Sequence, residues 1–181
     1  MIVRPATDAD SEALAAIYGD AVLHGFGTFE EVPPSPEEMS ARRRAVAERG
    51  LPYLAAEDGG TVLGFAYAAP FRPRAAYRYT LEDSVYVSPD AKGRGVGRAV
   101  LSAVIEACEA LGVRQLMAVI GDSGNQGSIG LHRSLGFEQM GIGRSVGFKH
   151  GRWVDIVHMQ KALNGGDARL PDGPGITLTG H

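Results

Sequence analysis

The segment Val85-Tyr86-Val87-Ser88-Pro89-Asp90-Ala91-Lys92-Gly93-Arg94-Gly95-Val96-Gly97-Arg98 has the make-up of an anion cradle. A β-branched run enters a glycine-rich turn, and the turn enters a stretch of helical period. The first N–H groups of a helix have no intrahelical acceptor and the helix dipole is positive there, so phosphates settle at such places. Gly93, Gly95 and Gly97 let the backbone come close to an anion, while Lys92, Arg94 and Arg98 add charge. These residues point to a phosphorylated ligand; a plain tight turn is the competing reading. A Walker loop, G-x-x-x-x-G-K-[ST], is missing from the chain. A dinucleotide fold needs its glycines at the first βα turn, whereas these follow a hairpin late in the chain.

A second group, Phe71-Arg72-Pro73-Arg74-Ala75-Ala76-Tyr77-Arg78-Tyr79, combines arginines with tyrosines just before Glu82. Guanidinium forks grip carboxylate or phosphinate through paired hydrogen bonds, so this loop suits an anionic ligand, with a solvated loop as the alternative. Glu82 precedes the run into the cradle, and partial burial would raise its pKa toward that of a useful base. His132 exchanges protons near neutral pH by residue type. Taken alone, Glu82 also reads as a surface carboxylate and His132 as a structural histidine. Cys108, in mid-helix with no basic neighbour, reads as core. The histidines lack metal spacing such as H-E-x-x-H, so no metal is expected, and Gly121-Asp122-Ser123-Gly124 is not a G-x-S-x-G elbow.

The elements that must position these residues follow from periodicity and punctuation. Ile2-Val3-Arg4 reads as a short strand, followed by a helix with Thr7 as N-cap and Leu14, Ile17 and Ala21 on one stripe. Ser35-Pro36-Glu37-Glu38 supplies an N-cap, a proline at N1 and a capping-box glutamate for a second helix that stops near Gly50. Two strands over residues 53–57 and 62–69 flank the hairpin signal Asp58-Gly59-Gly60. Ser84-Val85-Tyr86-Val87 is the next strand, ended by Pro89. From Gly95 a helix predicts Val96, Val100, Ala103, Val104, Ala107 and Leu111 on one face, with Gly112 as its stop. A strand over 115–120, a short helix over 125–135 and two strands around 137–148 and 153–160 complete the order β-α-α-β-β-β-α-β-α-β-β. That order is an α+β sheet flanked by helices. One domain is expected over residues 1–163, and the aperiodic Gly/Pro/Asp-rich stretch 164–181 reads as a flexible tail.

Composition bounds the function classes. The chain has 181 residues, enough for one domain with a proper core, and 44% apolar and 22% charged residues are ordinary for a globular protein. Net charge is −3 and no basic stripe runs along the chain, which argues against nucleic acid as a partner. The Arg42-Arg43-Arg44 cluster sits among Glu37, Glu38 and Glu48, as on a solvated helix face. A single cysteine fits a reducing compartment. No secretory signal is visible at Met1, and no apolar run nears the ~20 residues that span a bilayer, so a cytoplasmic protein without membrane partners is expected.

The glycine segment resembles the acetyl-CoA loop of the GNAT superfamily, Q/R-x-x-G-x-G/A, with Lys92, Gly95 and Gly97 at the matching positions. Lysine for Arg/Gln keeps the charge but not the planar geometry. Ile17-Tyr18-Gly19-Asp20-Ala21-Val22, Glu82-Asp83-Ser84-Val85-Tyr86-Val87, Ser128-Ile129-Gly130-Leu131-His132-Arg133-Ser134-Leu135-Gly136-Phe137 and Gly147-Phe148-Lys149-His150-Gly151-Arg152-Trp153 resemble the phosphinothricin/methionine sulfoximine N-acetyltransferase branch. The likeness runs over residues 2–161 and leaves the tail uncovered.

The resemblance implies a GNAT fold with a mixed, mostly antiparallel central sheet, and acetyl transfer from acetyl-CoA to a small-molecule amine. It makes Glu82 the general base, directly or through water. His132, four residues before Gly136, stands where many relatives carry tyrosine as acid for the leaving thiolate; acid and proton relay with Glu82 are both open. A splay between two central strands would free backbone groups at Val85, Tyr86 and Val87 to polarise the thioester oxygen. Lys92, Gly93, Arg94, Gly95, Val96, Gly97 and Arg98 would hold acetyl-CoA. Asn125 would contact it too, a role compatible with an N-cap. Arg72, Pro73 and Arg74, with Glu82, Asp83 and Ser84, would line a pocket for an L-amino acid carrying a tetrahedral polar head. The branch also implies a homodimer, to which Phe26, Phe29 and Trp153 are candidate contributors, buried core being the other reading. Two rivals remain: a GNAT enzyme acting on protein N-termini or polyamines, which the arginine loop opposes, and a non-catalytic acyl-CoA-binding module, which intact Glu82 and His132 oppose.

Overall fold

A glycine pair turns the chain where the sequence places a hairpin. Gly59 and Gly60 have φ of 58° and 84°, the left-handed pair that a two-residue hairpin loop demands. They join β2 (Tyr53–Asp58) to β3 (Thr61–Pro70). In the computed structural model, which describes residues 1–178, the other elements are β1 (Ile2–Pro5), α1 (Ser11–His24), α2 (Pro36–Ala47), β4 (Thr80–Val87), α3 (Val96–Ala110), β5 (Gln115–Gly121), α4 (Gln126–Ser134), β6 (Glu138–Lys149) and β7 (Arg152–Ala162). The order of strands and helices is the expected one. Local chemistry explains several ends: Ser35 Oγ accepts from the Glu38 N–H at 3.2 Å with Pro36 at N1. Thr7 opens a 3₁₀ turn over Asp8–Asp10 rather than α1 itself, and its N–H donates to Asp10 Oδ2 at 2.7 Å.

The strands form one seven-stranded sheet in the order β1-β2-β3-β4-β5-β7-β6. Among the described residues only β4 and β5 run parallel; the other neighbours are antiparallel. Each face carries its own core. On one, α3 covers the sheet with Val96, Val100, Leu101, Val104, Ile105 and Cys108. On the other, α1 and α2 pack Leu14, Ile17, Val22 and Met39 on Tyr53 and Phe65. The buried stripe of α3 therefore differs in phase from the expected one: Leu101, Ile105 and Cys108 join it, and Leu111 is 42% exposed. The Ala103 and Ala107 side chains are small enough to sit at its margin. Gly64 lets α3 come this close, because a Cβ there would lie 2.8 Å from both Tyr86 O and Val96 Cγ1.

Among the described residues, the stretch expected as a tail has no helix or strand, yet it makes specific contacts. Arg114 Nε donates to Gly166 O at 2.9 Å, Tyr79 Oη to Gly173 O at 2.6 Å, and the Ile176 N–H to Arg78 O at 2.8 Å. Irregular backbone contacts of this kind leave no periodic trace in a sequence. Residues 179–181 of that stretch lie outside the described residues. Among the described residues, no helix is long and apolar enough to cross a membrane.

Candidate active site

The site grows out of the single parallel strand pair. β4 and β5 are in register only from Thr80 opposite Gln115 to Asp83 opposite Ala118. Beyond that point they part. The direction of the freed backbone groups follows from alternation along each strand. Ser88 N donates to Leu63 O at 2.9 Å, so Tyr86 and Ser84 turn their backbone groups to β3, and Val85 and Val87 turn theirs toward β5. Asp122 N donates to Asp155 O at 2.9 Å, so by the same logic Val119 and Gly121 face β4. Two rows of N–H and C=O groups thus border a gap through the sheet. A cavity of about 390 Å³ lies along it, lined from β4 by residues 83–87, from β5 by residues 118–121, and by Lys92, Asn125, Ser128 and His132.

The glycine turn stands at one end of this gap. Gly93 and Gly95 have φ of 77° and 80°, conformations that L side chains rarely adopt, and Gly95 is the N-cap of α3. The first N–H to find a helical acceptor is that of Ala99, on Gly95 O at 3.0 Å. Gly97 serves close packing, since a Cβ there would lie 3.2 Å from Leu131 Cδ2 on α4. Val96 is 1% exposed, so its side chain belongs to the core and only its N–H faces the turn. Arg94 pairs with Asp58 at 3.4 Å, Arg98 donates to Ser134 Oγ at 2.9 Å, and Lys92 lines the cavity.

His132 is buried, at 2% exposure, and both ring nitrogens are engaged. Nδ1 lies 2.8 Å from Ser128 O and Nε2 lies 2.9 Å from Asp83 Oδ1. Asp83 is equally buried, and burial pushes its carboxyl above the ordinary range while His132 pulls it back. For His132 burial works the other way, against charge, and the Asp83 carboxyl outweighs it, so the imidazole is held above its usual value. Successive side chains of a strand point to opposite faces. Glu82, next to Asp83, therefore points to the α1 side, away from His132. Burial raises the Glu82 pKa first and the neighbouring Asp83 adds to it, while Arg72 lowers it.

The structure thus gathers some of the anticipated residues and separates others. Asp83, Ser84, Val85, Tyr86, Val87, Lys92, Asn125 and His132 meet at the cavity. Glu82, Arg72, Pro73 and Arg74 lie outside its lining. Asp83, anticipated beside Glu82 and Ser84 at an acceptor, turns instead to His132, and no hydrogen bond joins His132 to Glu82 among the described residues. Asn125 caps α4 as anticipated, Oδ1 accepting from the Ser128 N–H at 3.2 Å.

Sequence reasoning missed the far wall. Asp20, His24, Gly25, Phe26 and Gly27 line the cavity from the end of α1 and the loop after it. Tyr18 Oη donates to Glu30 Oε1 at 2.8 Å and lies 2.9 Å from Thr28 Oγ1, and Arg42 pairs with Glu30 at 2.7 Å. The buried Lys149 donates through Nζ to Gly25 O and Thr28 O at 2.9 and 2.8 Å; burial lowers its pKa. Gly121 is the one local signal that was available: a Cβ there would lie 1.8 Å from Phe26 O.

A profile of the acetyltransferase (GNAT) family matches residues 18–137. The chain belongs to the GNAT family. Among GNAT relatives, phosphinothricin N-acetyltransferase of Alcaligenes faecalis is 55% identical over 170 residues, covering 94% of this chain and 86% of that protein. L-methionine sulfoximine/L-methionine sulfone acetyltransferase of Pseudomonas paraeruginosa is 43% identical over 163 residues, covering 90% of this chain and 94% of its own. The crystal structure of a GNAT superfamily phosphinothricin acetyltransferase from Sinorhizobium meliloti in complex with AcCoA superposes with a TM-score of 0.92 at 46% identity, covering 96% of this chain and 94% of that one. The α+β GNAT fold expected from the sequence is the fold observed.

Proposed function

We propose that this protein transfers the acetyl group of acetyl-CoA to the amine of a small amino-acid-like acceptor of the phosphinothricin, methionine sulfoximine or methionine sulfone type. The observation that carries this reading is the gap between β4 and β5, which opens beside the N-terminus of α3 and is bordered by free backbone groups of Val85 and Val87. The turn from Lys92 to Arg98 offers N–H groups and cations to the pyrophosphate of acetyl-CoA. Backbone N–H groups of Val85 and Val87 polarise the thioester oxygen, and Asn125 contacts the acetyl-CoA arm while capping α4. The relatives named for phosphinothricin and methionine sulfoximine support the acceptor class.

In this reading Glu82 removes a proton from the acceptor ammonium on the α1 side of the sheet. Its raised pKa suits a base, because a carboxylate of ordinary pKa has little affinity for an ammonium proton. His132, across β4, is the acid for the departing thiolate. Arg72 and Arg74, with Pro73 and Ser84, hold the acidic head of the acceptor. The enzyme is a cytoplasmic homodimer whose interface includes Trp153, 64% exposed and in edge-to-face contact with Phe148 at 5.3 Å. The lone Cys108 is a buried free thiol, in keeping with a reducing compartment.

The acceptor is tested by following thiol release from acetyl-CoA against a panel of phosphinothricin, methionine sulfoximine, methionine sulfone, common L-amino acids, spermidine and a lysine-rich peptide. The tetrahedral acidic acceptors are expected to give the highest kcat/KM. A clear preference for spermidine or the peptide overturns the acceptor class, and no turnover with any amine overturns the transferase reading.

A further inference from the structure

We propose that Asp83, His132 and Ser128 form one proton line, running from the buried interior to the cavity wall, and that it supplies the proton taken up by the departing thiolate. This rests on the acetyl-transfer reading above and adds Asp83 and Ser128 to the acid that His132 represents there.

Ser128 O is a carbonyl oxygen and can only accept, so His132 Nδ1 carries a hydrogen. The contact between Nε2 and Asp83 Oδ1 holds one further proton, on nitrogen or on oxygen. Either way the pair is neutral overall, the form a dry interior tolerates. It holds two protons, and one is free to leave. Asp83 Oδ2 is buried without a hydrogen-bond partner, so the carboxyl's one side-chain contact is the proton it shares with Nε2. The outlet is on the other side of the ring. Ser128 Oγ lies 3.4 Å from Nδ1, and Ser128 is half-buried in the cavity lining.

The surroundings insulate the pair. From α3 Cys108 comes nearest in charge terms, its thiol pushed up to about 12 by burial and then by Asp83, so it stays neutral. Beyond α4 the Phe137 ring stands edge-on to the imidazole at 5.0 Å. From β5 the neighbour opposite Asp83 is Ala118, and Glu82 on β4 faces the other side of the sheet.

The step balances. As the C–S bond breaks, sulfur keeps the bonding pair and takes the Ser128 hydroxyl proton. Nδ1 returns a proton to the hydroxyl, and Nε2 keeps or takes the proton shared with Asp83. The products are coenzyme A thiol, a neutral His132 protonated at Nε2, and an ionised Asp83. Solvent restores the missing proton as the products leave. Asp83 acts through His132 and is a positioning residue, whereas Ser128 is the member that meets the leaving sulfur.

Three variants of the intact protein test this: Asp83→Asn, Ser128→Ala and His132→Gln, each checked by thermal melting and by calorimetric titration with acetyl-CoA. Ser128→Ala leaves the α4 cap intact, because Asn125 binds the Ser128 N–H and not its hydroxyl. Asp83→Asn is isosteric and can donate to Nε2, keeping the ring neutral and in place. Both are expected to bind acetyl-CoA and to lose roughly 10²-fold in kcat, the scale of a lost general acid. The wild-type kcat should fall at high pH as the pair loses its proton, and this alkaline limb should be absent from Asp83→Asn. If His132→Gln is slow but Asp83→Asn and Ser128→Ala fold, bind and keep wild-type kcat and pH profile, the line is overturned while the role of His132 stands. A lowered melting temperature with an unchanged alkaline limb in Asp83→Asn means a structural tie and also overturns it. If Asp83→Asn does not fold, a wild-type rate in Ser128→Ala is enough to overturn the outlet. A wild-type rate in His132→Gln instead removes the acid role proposed above.

Discussion

Glu82 and Asp83 are adjacent carboxylates on one strand, and strand alternation sends them into different chemistry. Asp83 is sealed against His132, whereas Glu82 stays half-buried within reach of the Arg72 charge. Burial, and then the like charge of Asp83, hold Glu82 above the ordinary carboxylate value, so it is protonated over a wider acid range. The sign follows: as pH falls through the raised value the base is lost, and kcat drops on the acid side. In stability the same shift means that the folded state binds the extra proton, so Glu82 destabilises once ionised and Glu82→Gln removes that pH dependence. Glu82→Gln is expected to lower kcat by roughly 10²–10⁴-fold with acetyl-CoA affinity little changed. Part of the rate should return as pH rises toward the amine's own pKa, when solvent takes over the deprotonation. Initial rates measured between about pH 6 and 9 check this, and a wild-type rate throughout removes Glu82 from the mechanism. Gly95 is a poorer probe of the ligand, since its φ of 80° strains any L side chain and mixes folding with binding.

Among the elements, α4 has the most to lose from a single change. It has only nine residues, too few to be stable by itself, and it presents Asn125, Ser128 and His132 to the cavity. The Asn125 cap holds its first turn, and Asn125 Nδ2 also reaches Gly121 O at 3.5 Å, tying the helix to the splayed end of β5. Asn125→Ala should therefore cost about 1 kcal/mol of stability, the usual value of a lost N-cap. Acetyl-CoA affinity should fall with it, while Asn125→Asp should keep the stability. Urea unfolding and calorimetry of the two variants separate these effects. An unfolding midpoint of Asn125→Ala equal to that of the wild type would show the cap to be idle.

At the scale of the molecule, the sheet ends in an edge that is hard to leave uncovered. β6 is the edge strand at one end of the sheet, and Met140, Val146 and Phe148 on it are 61%, 53% and 59% exposed, beside Trp153 on β7. A long apolar edge strand invites pairing with another chain unless something covers it. Phe29 is only partly available for this purpose, since its ring fills the space above Gly147, and Phe26 lines the cavity beneath the Arg152 guanidinium, 3.9 Å from its ring centre. The homodimer proposed above predicts sedimentation of the wild type at twice the chain mass. A double variant Phe148→Ser with Trp153→Glu should sediment as a folded monomer. A monomeric wild type at micromolar concentration would dismiss the dimer.

Order of elements, turns, caps and the glycine turn into α3 were all legible in the sequence, because each depends on residues within a few positions of one another. Gly59-Gly60, Ser35-Pro36, the helical period after Gly95 and the N-cap Asn125 carry their geometry with them. The phase of the α3 stripe was less legible, since the burial of Leu101 and Ile105 depends on how the helix sits on the sheet. The partner of His132 could not be read at all: Asp83 lies 49 residues away, and its own neighbour Glu82 is the same kind of group pointing elsewhere. Lys149 reaches back across 124 residues to Gly25, and the end of α1 becomes a cavity wall only because two core layers close on the sheet. The sequence by itself determined which segments form strands and helices and where glycines turn the chain into α3, through period and φ. The tertiary structure alone decided where β4 and β5 part and which side chains meet in the gap, because those distances are set by how the two layers of helices pack on opposite faces of one sheet.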